Sequence, residues 1–385
     1  MNWDKIPGLK NVMKLGGVNI SGSAISAIFW LYLGNLMGVE NYGEIAYMLS
    51  IAGIAMSITI WGSEKAIIVY TAKRLDIQPP IYIISLITTG VGAIILYVMF
   101  NNFGLSLYVL GGVIAQLATA EILGRKQFTK YSKFFILQKI LFVLIGLGLY
   151  LILGPQGILL GFGISCLIYI QRIYKTIKKT EINFGLIKEK SGFIFNNYLV
   201  DLTAQLNNQM DKLVIGPIFG FAILGNYYLA IQILNLLTIL PEVVSQYTIP
   251  QDASKNSTKS IKIFSVIIAI VLVIVTIFTA PIIIPILFPE FEDAITIIPI
   301  IAISIIPMTI TYNYISKFFA MEKTRIILVS YLIEIIILIP GIIILGDLMG
   351  VMGLGIIFVI STTAKASFLT IINYYFKYEN ASKDN

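Results

Sequence analysis

The chain contains no histidine and only one cysteine, Cys166, and charged residues make up 12% of its 385 residues. The absence of histidine removes the commonest metal ligand and general base, and a single cysteine excludes an internal disulfide and a cysteine-rich metal site. Soluble domains carry about 25% charged residues. With 57% hydrophobic residues and a mean hydropathy of +0.89, the chain has too few polar groups to cover a globular surface. We therefore expect lipid to solvate most of it, and we expect no metal centre.

Long apolar runs support a membrane location. Residues 263–289 contain no charge, and a membrane-spanning helix needs about 20 predominantly apolar residues. Dividing the sequence at charges, glycines, prolines and asparagine clusters predicts twelve spans: 15–38, 42–61, 80–100, 104–123, 134–153, 156–174, 194–216, 222–246, 263–287, 294–316, 326–345 and 350–373. The first run lacks a small-residue cleavage site and is interpreted as a retained span rather than a signal peptide. The predicted fold class is an all-α polytopic membrane protein with twelve transmembrane helices.

The distribution of basic residues tests this count. Of the 27 lysines and arginines, 23 lie in the tails and alternate connections that the count places on one side of the membrane, and Arg172 lies at that same end of the sixth span. The connections on the other side contain none, and Lys139, Lys212 and Lys365 lie inside spans. The positive-inside rule then predicts a multi-pass protein of the cell membrane with both termini in the cytoplasm. Loops that face anionic lipid account for the net charge of +7, so the expected partner is the lipid bilayer and not nucleic acid.

A short glycine pattern occurs twice. Glycines at 34, 38 and 43 are repeated at 216, 220 and 225, at a constant offset of 182 residues. Each copy straddles the first outer turn of a block of six spans, so the two blocks have the same orientation, as in the parallel repeats of some transporters. We expect an amino-terminal lobe of residues 1–175, a cytoplasmic linker at 176–192 and a carboxy-terminal lobe of residues 193–385. The glycines expected to permit tight turns are Gly38, Gly43, Gly220 and Gly225.

Polar residues form a stripe along the seventh span, at spacings of three and four: Asn197, Asp201, Gln205, Asn208 and Lys212. This spacing places them on one helical face. At the 182-residue offset, the first span carries Asn19, Ser23 and Ser26. Polar side chains are costly against lipid, so both stripes are expected to line a substrate cavity. Serine also joins helices to one another in membranes, and for the first span this alternative is equally open.

Ionisable residues inside the spans are further candidates for a site. Lys139, Lys212 and Lys365 are candidate contacts for an anionic substrate, and Asp201, Asp211 and Glu334 are candidate carriers of a coupling ion, H⁺ or Na⁺. Each lysine also has a structural interpretation. Lys139 can extend to the membrane interface, as Arg172 at the end of the sixth span is expected to do. Lys212 can be neutralised by its neighbour Asp211, and Lys365 can form a buried pair with Glu334.

Three stretches resemble polysaccharide biosynthesis flippases: residues 38–74, 121–133 and 207–227, which begin GVENYGEIAY, EILGRKQFTK and NNQMDKLVIG. This Wzx-like family lies within the multidrug/oligosaccharidyl-lipid/polysaccharide (MOP) exporter superfamily, and the resemblance covers essentially the whole chain in order. It implies two six-helix lobes around a central cavity. It also implies that a polyprenyl- or dolichyl-diphosphate-linked oligosaccharide moves from the cytoplasmic to the outer leaflet by alternating access, with other glycan-assembly membrane proteins as partners. Lipid II flippases usually carry extra carboxy-terminal spans, whereas this sequence ends after twelve.

The sequence lacks the features of an enzyme. It has no GxxxxGK[ST] loop to hold ATP phosphates, and the longest connection on the outer side, 288–293, has six residues. A membrane glycosyltransferase or polymerase would need a sizeable outer loop. We therefore expect no catalytic residues and no cofactor. The alternative function is a cation-coupled small-molecule or multidrug antiporter of the same superfamily.

Overall fold

The computed structural model describes residues 9–253, 258–321 and 323–383. Within these ranges all regular secondary structure is helical, and no residue is assigned to a strand. The predicted all-α class is confirmed. Hydrophobic side chains on most of these helices explain why the chain folds this way, since a helix satisfies its own backbone hydrogen bonds within lipid.

The described ranges contain fourteen α-helices. In chain order they are α1 (Leu9–Met37), α2 (Val39–Ile60), α3 (Ser63–Ala72), α4 (Gln78–Phe100), α5 (Phe103–Gly124), α6 (Phe128–Leu153), α7 (Pro155–Ser165), α8 (Ile170–Lys179), α9 (Phe184–Phe219), α10 (Phe221–Ala253), α11 (Lys259–Leu287), α12 (Ala294–Ala302), α13 (Ile305–Ala320) and α14 (Thr324–Lys383). A short 3₁₀ helix, Cys166–Tyr169, joins α7 to α8.

Ten stretches in the described ranges are long and apolar enough to cross a membrane. Two features explain the difference from the twelve predicted spans. The stretch Thr324–Phe376 of α14 contains two predicted spans, and its backbone breaks at Gly350, where φ is 59° and ψ is −138°. The seventh predicted span, 194–216, lies within α9. It contains three charged residues, Asp201, Asp211 and Lys212, which lower its mean hydropathy. All twelve predicted spans therefore fall on helices, and the orientation of the termini stays a prediction.

The described chain divides into two compact units. The first comprises Met48–Gln205 together with α1 as far as Phe29, and the second comprises Trp30–Tyr47 together with the described residues from Leu206 onward. In the first unit, 61% of the apolar stretch of α5 is buried but only 17% of that of α6. The apolar side chains that α6 leaves exposed are suited to contact with acyl chains. The two six-span lobes stay a prediction.

Small residues allow α5 to lie at the centre of the first unit. A Cβ atom at Gly111 would lie 2.7 Å from the carbonyl oxygen of Gly163, and one at Gly124 would lie 2.9 Å from that of Ile68. Glycines at such contacts let helix backbones approach closely in a membrane. The buried side chains of Tyr82 and Leu117 belong to the adjacent apolar core. Close packing around α5 therefore holds α3, α4 and α7 in fixed positions.

The repeated glycines have two different roles in the second unit. Gly38, between α1 and α2, has a φ of 75°, and Gly220, between α9 and α10, has a φ of 93°. These left-handed conformations suit glycine at a tight turn. Gly43 and Gly225 instead lie inside α2 and α10. The prediction that these two glycines form the turns is wrong, because the chain reverses completely at Gly38 and Gly220.

The helices α1 and α2 form one hairpin, and α9 and α10 form another. Gly43 and Gly225 lie where these two hairpins touch. A Cβ atom at Gly43 would overlap the carbonyl oxygen of Phe221, and one at Gly225 would overlap that of Val39. Val39 and Phe221 are themselves separated by the 182-residue offset. The two contacts are therefore reciprocal, as self-complementary packing about a local two-fold axis requires.

We expect Gly43→Ala and Gly225→Ala to destabilise the protein by about 1–3 kcal/mol each, as overpacking does in a well-packed core. The added methyl group would meet a backbone carbonyl, which cannot rotate away as a side chain can. Gly148→Ala in α6 is the control, because no atom lies within 4 Å of its Cβ position. Thermal melting in detergent measures the difference. Equal melting temperatures for all three variants would contradict the packing role.

Candidate functional site

The turn between α2 and α3 is held against α9. Gly62 precedes α3 with a φ of 62°, and a Cβ atom there would lie 2.7 Å from the carbonyl oxygen of Ile194. The ring of Trp61 stacks on that of Tyr198, with centroids 6.0 Å apart and an interplanar angle of 20°. The first turn of α3 therefore lies beside α9.

Lys65 and Asp201 form an ion pair at this junction, although 136 residues separate them in the chain. Their side chains are 41% and 32% exposed. Because neighbouring protein does not enclose these side chains, the ion pair is open to exchange of its partners. Asp201 belongs to the predicted polar stripe. Sequence reasoning missed Lys65, because it lies outside every predicted span.

Glu64 adjoins this ion pair. Burial raises the pKa of the Glu64 carboxyl above its ordinary value, and the negative charge of Asp201 raises it further, whereas Lys65 partly opposes the shift. A raised pKa means that the folded protein holds this proton more tightly than an exposed glutamate does. A carboxyl with a raised pKa therefore lies next to the Lys65–Asp201 ion pair.

Asn19 and Tyr131 complete the group. The Tyr131 hydroxyl donates a hydrogen bond to Asn19 Oδ1 at 3.2 Å, and this hydroxyl lies within electrostatic range of the Glu64 carboxyl. We call Asn19, Glu64, Lys65, Tyr131 and Asp201 the polar cluster. It lies wholly in the first unit and is assembled from α1, α3, α6 and α9. Two predicted site residues, Asn19 and Asp201, are thus brought into one cluster.

The other stripe residues lie outside the polar cluster. Ser23 and Asn208 are exposed, and Ser26 and Gln205 are half-buried. Asn197 donates from Nδ2 to the backbone carbonyl four residues earlier, at 2.8 Å. The hydroxyl oxygen of Ser26 has no hydrogen-bond partner, and neither has Oδ1 of Asn207, a residue that sequence reasoning did not select. Whether the stripe residues contact substrate stays a prediction.

Lys139 shares a face of α6 with the polar cluster. Its ammonium group lies 5.6 Å from the centre of the Phe135 ring. Phe135 in turn stacks on Tyr131, with centroids 5.4 Å apart, and packs so closely against Gly22 of α1 that a Cβ atom there would overlap its ring. The stacked rings therefore link the surroundings of Lys139 to Tyr131 of the polar cluster.

The second half of α9 carries a buried ion pair. Asp211 is 3% exposed and Lys212 is 6% exposed. Lys212 Nζ donates to Asp211 Oδ1 at 2.9 Å and to the Asn208 carbonyl oxygen at 2.5 Å. The Tyr227 hydroxyl donates to Asp211 Oδ2 at 2.7 Å. The pair with Asp211 that the sequence offered as one alternative for Lys212 is therefore present, and contact of Lys212 with substrate stays a prediction.

Lys365 and Glu334 form a second buried pair in the same unit. Lys365 Nζ donates to Glu334 Oε2 at 2.7 Å and lies 4.0 Å from the centre of the Tyr331 ring. Both side chains are less than 10% exposed. The pair with Glu334 that the sequence offered as the alternative for Lys365 is therefore also present, and contact of Lys365 with substrate stays a prediction. A carboxylate and an aromatic face together offset the cost of placing this ammonium group in a low-dielectric interior.

A buried carboxylate network in the first unit was missed by sequence reasoning. Glu121 is 2% exposed and accepts hydrogen bonds from Arg125 at 2.6 Å, from Arg172 at 3.2 Å, from Tyr82 at 2.8 Å and from Thr176 at 3.1 Å. Arg172, which was predicted to extend to the membrane interface, binds Glu121 through its guanidinium group, and its position relative to that interface stays a prediction. The four-residue spacing of Glu121 and Arg125, which suits an ion pair on one helical face, is the sequence feature that could have indicated this network. The network joins α4, α5 and α8.

Residues 103–254 match a family described as "Polysaccharide biosynthesis protein". The matched range runs from α5 to the end of α10 and includes Glu121, Asp201 and Asp211. A search among curated protein sequences finds no significant match.

Solved structures similar to this chain include a flippase and drug transporters. The lipid II flippase MurJ, in an inward closed conformation, matches with a TM-score of 0.78 and 13% identity, over 94% of this chain and 87% of that chain. An inward-facing multidrug resistance MATE family transporter of the MOP superfamily matches with a TM-score of 0.67 and 13% identity, over 94% and 95%. The MATE transporter VcmN of Vibrio cholerae, in a mutant form, matches with a TM-score of 0.63 and 12% identity, over 98% and 97%. Together with the family match, these structures confirm the resemblance predicted from the sequence: the chain is a multi-pass membrane protein with the fold of MOP-superfamily transporters and a polysaccharide biosynthesis match at its centre.

Proposed function

We propose that this chain is a membrane flippase that moves a polyprenyl- or dolichyl-diphosphate-linked oligosaccharide from the cytoplasmic to the outer leaflet by alternating access. The polysaccharide biosynthesis match over residues 103–254 supports a role in glycan assembly, alongside other membrane proteins that build or use the glycan. The shared fold with a lipid II flippase supports a lipid-linked substrate. The observation that carries the proposal is the accessible ion pair between Lys65 and Asp201.

A diphosphate head group needs a cation when it enters a low-dielectric environment, because an unpaired charge there is costly. Lys65 meets this need best among the lysines considered. Its side chain is 41% exposed, so a phosphate oxygen can replace the Asp201 carboxylate without a large rearrangement. Lys212 and Lys365 are 8% and 9% exposed in their side chains and would first have to leave buried pairs.

Exchange of partners at Lys65 also couples the substrate to an ion. When phosphate takes the lysine, Asp201 loses its counter-ion, and its carboxylate then favours H⁺ or Na⁺ binding. Glu64, whose pKa is raised by burial and by Asp201, provides a second proton-binding group beside it. In this proposal Asp201 carries the coupling ion, whereas Asp211 and Glu334 have structural roles.

A cation-coupled antiporter is the second candidate function. The polar cluster has two carboxyl groups, Glu64 and Asp201, and one lysine, Lys65, which also suits a cationic substrate. The shared fold with MATE transporters supports this alternative as well. The two candidates differ in the charge of the substrate, so transport of defined substrates separates them.

The test uses purified protein in liposomes, with either a fluorescent polyprenyl-diphosphate glycan or a fluorescent cationic drug. We expect movement of the diphosphate lipid. We also expect Lys65→Gln to slow it by roughly tenfold or more, because a charge-assisted contact is lost. Lys73→Gln is the matched control, since Lys73 is an exposed lysine at the end of the same helix.

Two results would contradict the proposal. Wild-type protein that moves the cationic drug but not the diphosphate lipid would favour the antiporter. Flipping at the wild-type rate by Lys65→Gln would exclude this lysine from the substrate site. Lys65→Arg should retain flipping, because the guanidinium group keeps the positive charge and binds phosphate.

A further inference from the structure

A cavity of about 500 Å³ lies at one end of the first unit, apart from the residues of the polar cluster. It is formed where the connection between α3 and α4 meets the connection between α5 and α6. Its polar wall includes Arg74, Asp76, Gln78, Arg125, Lys126 and Gln127. The span count places both connections on the cytoplasmic side of the membrane. The volume lies within the range of pockets that bind small molecules, about 300–1,000 Å³.

Positive charge dominates the wall of this cavity. Arg74 and Lys126 are exposed, and Arg125 remains 40% exposed although it pairs with Glu121. Asp76 is the one acidic residue of the described lining. Because Glu121 compensates Arg125, Arg74 and Lys126 supply the excess positive charge over Asp76, and this excess favours an anionic occupant.

Two of the basic residues adopt an unusual backbone conformation. Arg74 has a φ of 62° and Lys126 has a φ of 57°. Each follows the end of a helix, α3 or α5, where the next backbone N–H bonds five residues back: Leu75 to Tyr70 at 2.9 Å and Gln127 to Ile122 at 3.0 Å. Glycine is the usual residue at this position of such a motif. Here both positions instead present a long cationic side chain to the cavity.

Gln78 supplies an independent sign of a ligand. The residue is 1% exposed, and its Nε2 donates to Thr71 Oγ1 at 2.6 Å and to the Leu75 carbonyl oxygen at 3.5 Å. Its Oε1 is buried without a hydrogen-bond partner. An unpaired buried acceptor is unfavourable, and a hydroxyl group of a ligand would satisfy it.

We propose that this cavity binds a phosphate ester that carries free hydroxyl groups. Arg74, Arg125 and Lys126 would hold the phosphate, and Gln78 Oε1 would accept a hydrogen bond from a hydroxyl. The carboxy-terminal ends of α3 and α5 offer a purely structural use for these cations, which neutralise the helix dipoles. That use leaves the buried acceptor of Gln78 unexplained. A glycerophosphate lipid head group and a soluble sugar phosphate share the required chemistry.

Calorimetric titration of detergent-solubilised protein with glycerol 1-phosphate, inorganic phosphate and glycerol tests this site. We expect glycerol 1-phosphate to bind more tightly than inorganic phosphate, and glycerol to bind undetectably. Arg74→Gln combined with Lys126→Gln should weaken binding by roughly a hundredfold, since two charge-assisted contacts are lost. The control combines Lys179→Gln with Lys188→Gln, which removes the same charge from exposed lysines outside the cavity.

A second arm distinguishes the two sources of the phosphate. Protein in nanodiscs of phosphatidylglycerol or of phosphatidylcholine is titrated with glycerol 1-phosphate. Weaker binding in phosphatidylglycerol alone indicates that the lipid head group occupies the cavity, and equal binding in both indicates a soluble ligand.

Equal affinity of the cavity variant, the control variant and the wild type would overturn the proposal, as would equal binding of inorganic phosphate and glycerol 1-phosphate. Gln78→Glu provides a separate check, because it keeps the size of the side chain and places a negative charge in the wall. Phosphate-ester binding by a folded Gln78→Glu variant at wild-type strength would also overturn it. Melting without ligand establishes that each variant is folded.

Discussion

The Asp211→Asn variant is expected to lose about 3–5 kcal/mol of folding stability, because it leaves a buried ammonium group without its counter-ion. Lys212 is 6% exposed, and its remaining hydrogen bond would be to the Asn208 carbonyl oxygen. The Tyr227 hydroxyl could still donate to the new amide, so the loss comes mainly from the unpaired charge. Chemical denaturation in detergent, followed by intrinsic fluorescence, measures the change.

A double variant provides the control for this prediction. Asp211→Asn combined with Lys212→Met removes both charges and should recover much of the stability, since an apolar pair of similar volume often replaces a buried ion pair without loss. Glu334→Gln should cost less than Asp211→Asn, because Lys365 retains the Tyr331 ring at 4.0 Å. Wild-type stability of Asp211→Asn would show that the pair is accessible to water.

The Asp201→Asn variant is expected to abolish gradient-driven flipping while it melts within a few degrees of the wild type. The amide keeps the size of the side chain but cannot take up a proton or offer a full charge to Na⁺. Stability should survive because Lys65 is 41% exposed and water can hydrate its freed ammonium group. Uphill and downhill movement of the lipid-linked glycan in liposomes, together with melting in detergent, separates coupling from folding.

Glu189→Gln is the control for Asp201→Asn. Glu189 is an exposed carboxylate that pairs with Lys190 between α8 and the predicted seventh span, and its loss should leave transport and melting unchanged. Full uphill transport by Asp201→Asn would eliminate it as the carrier of the coupling ion. A collapse in melting temperature would instead show that its pair with Lys65 is mainly structural.

Much of the helical organisation could be predicted from the sequence. Apolar runs about 20 residues long are sufficient to identify membrane helices, and every predicted span falls on a helix. α3 was missed because its ten residues include Glu64 and Lys65 and are too few to span a membrane. The break at Gly350 agrees with the boundary predicted between the eleventh and twelfth spans. The separation of α12 from α13 was missed, because it depends on local backbone angles, to which hydropathy is insensitive.

The candidate site was less accessible to sequence reasoning. Asp201 was selected from the helical spacing of the stripe, but its partner Lys65 lies 136 residues away. The Lys212 and Lys365 pairs were foreseen as alternatives, because Asp211 is a sequence neighbour and Glu334 lies on the preceding predicted span. Nothing in the spacing of Arg74, Gln78 and Lys126 indicated that two connections would enclose a cavity.

The sequence by itself determined the solvent, the helical class and the repeat of this protein. Its hydropathy requires lipid around the helices, and the 182-residue offset of the glycines marks two related hairpins. Only the tertiary structure decided which charges are neutralised and which remain available. An ion pair depends on the distance between side chains from different helices and on the water around them. Asp201 and Asp211, ten residues apart on α9, consequently differ in character: one forms an accessible pair with Lys65, and the other a buried pair with Lys212.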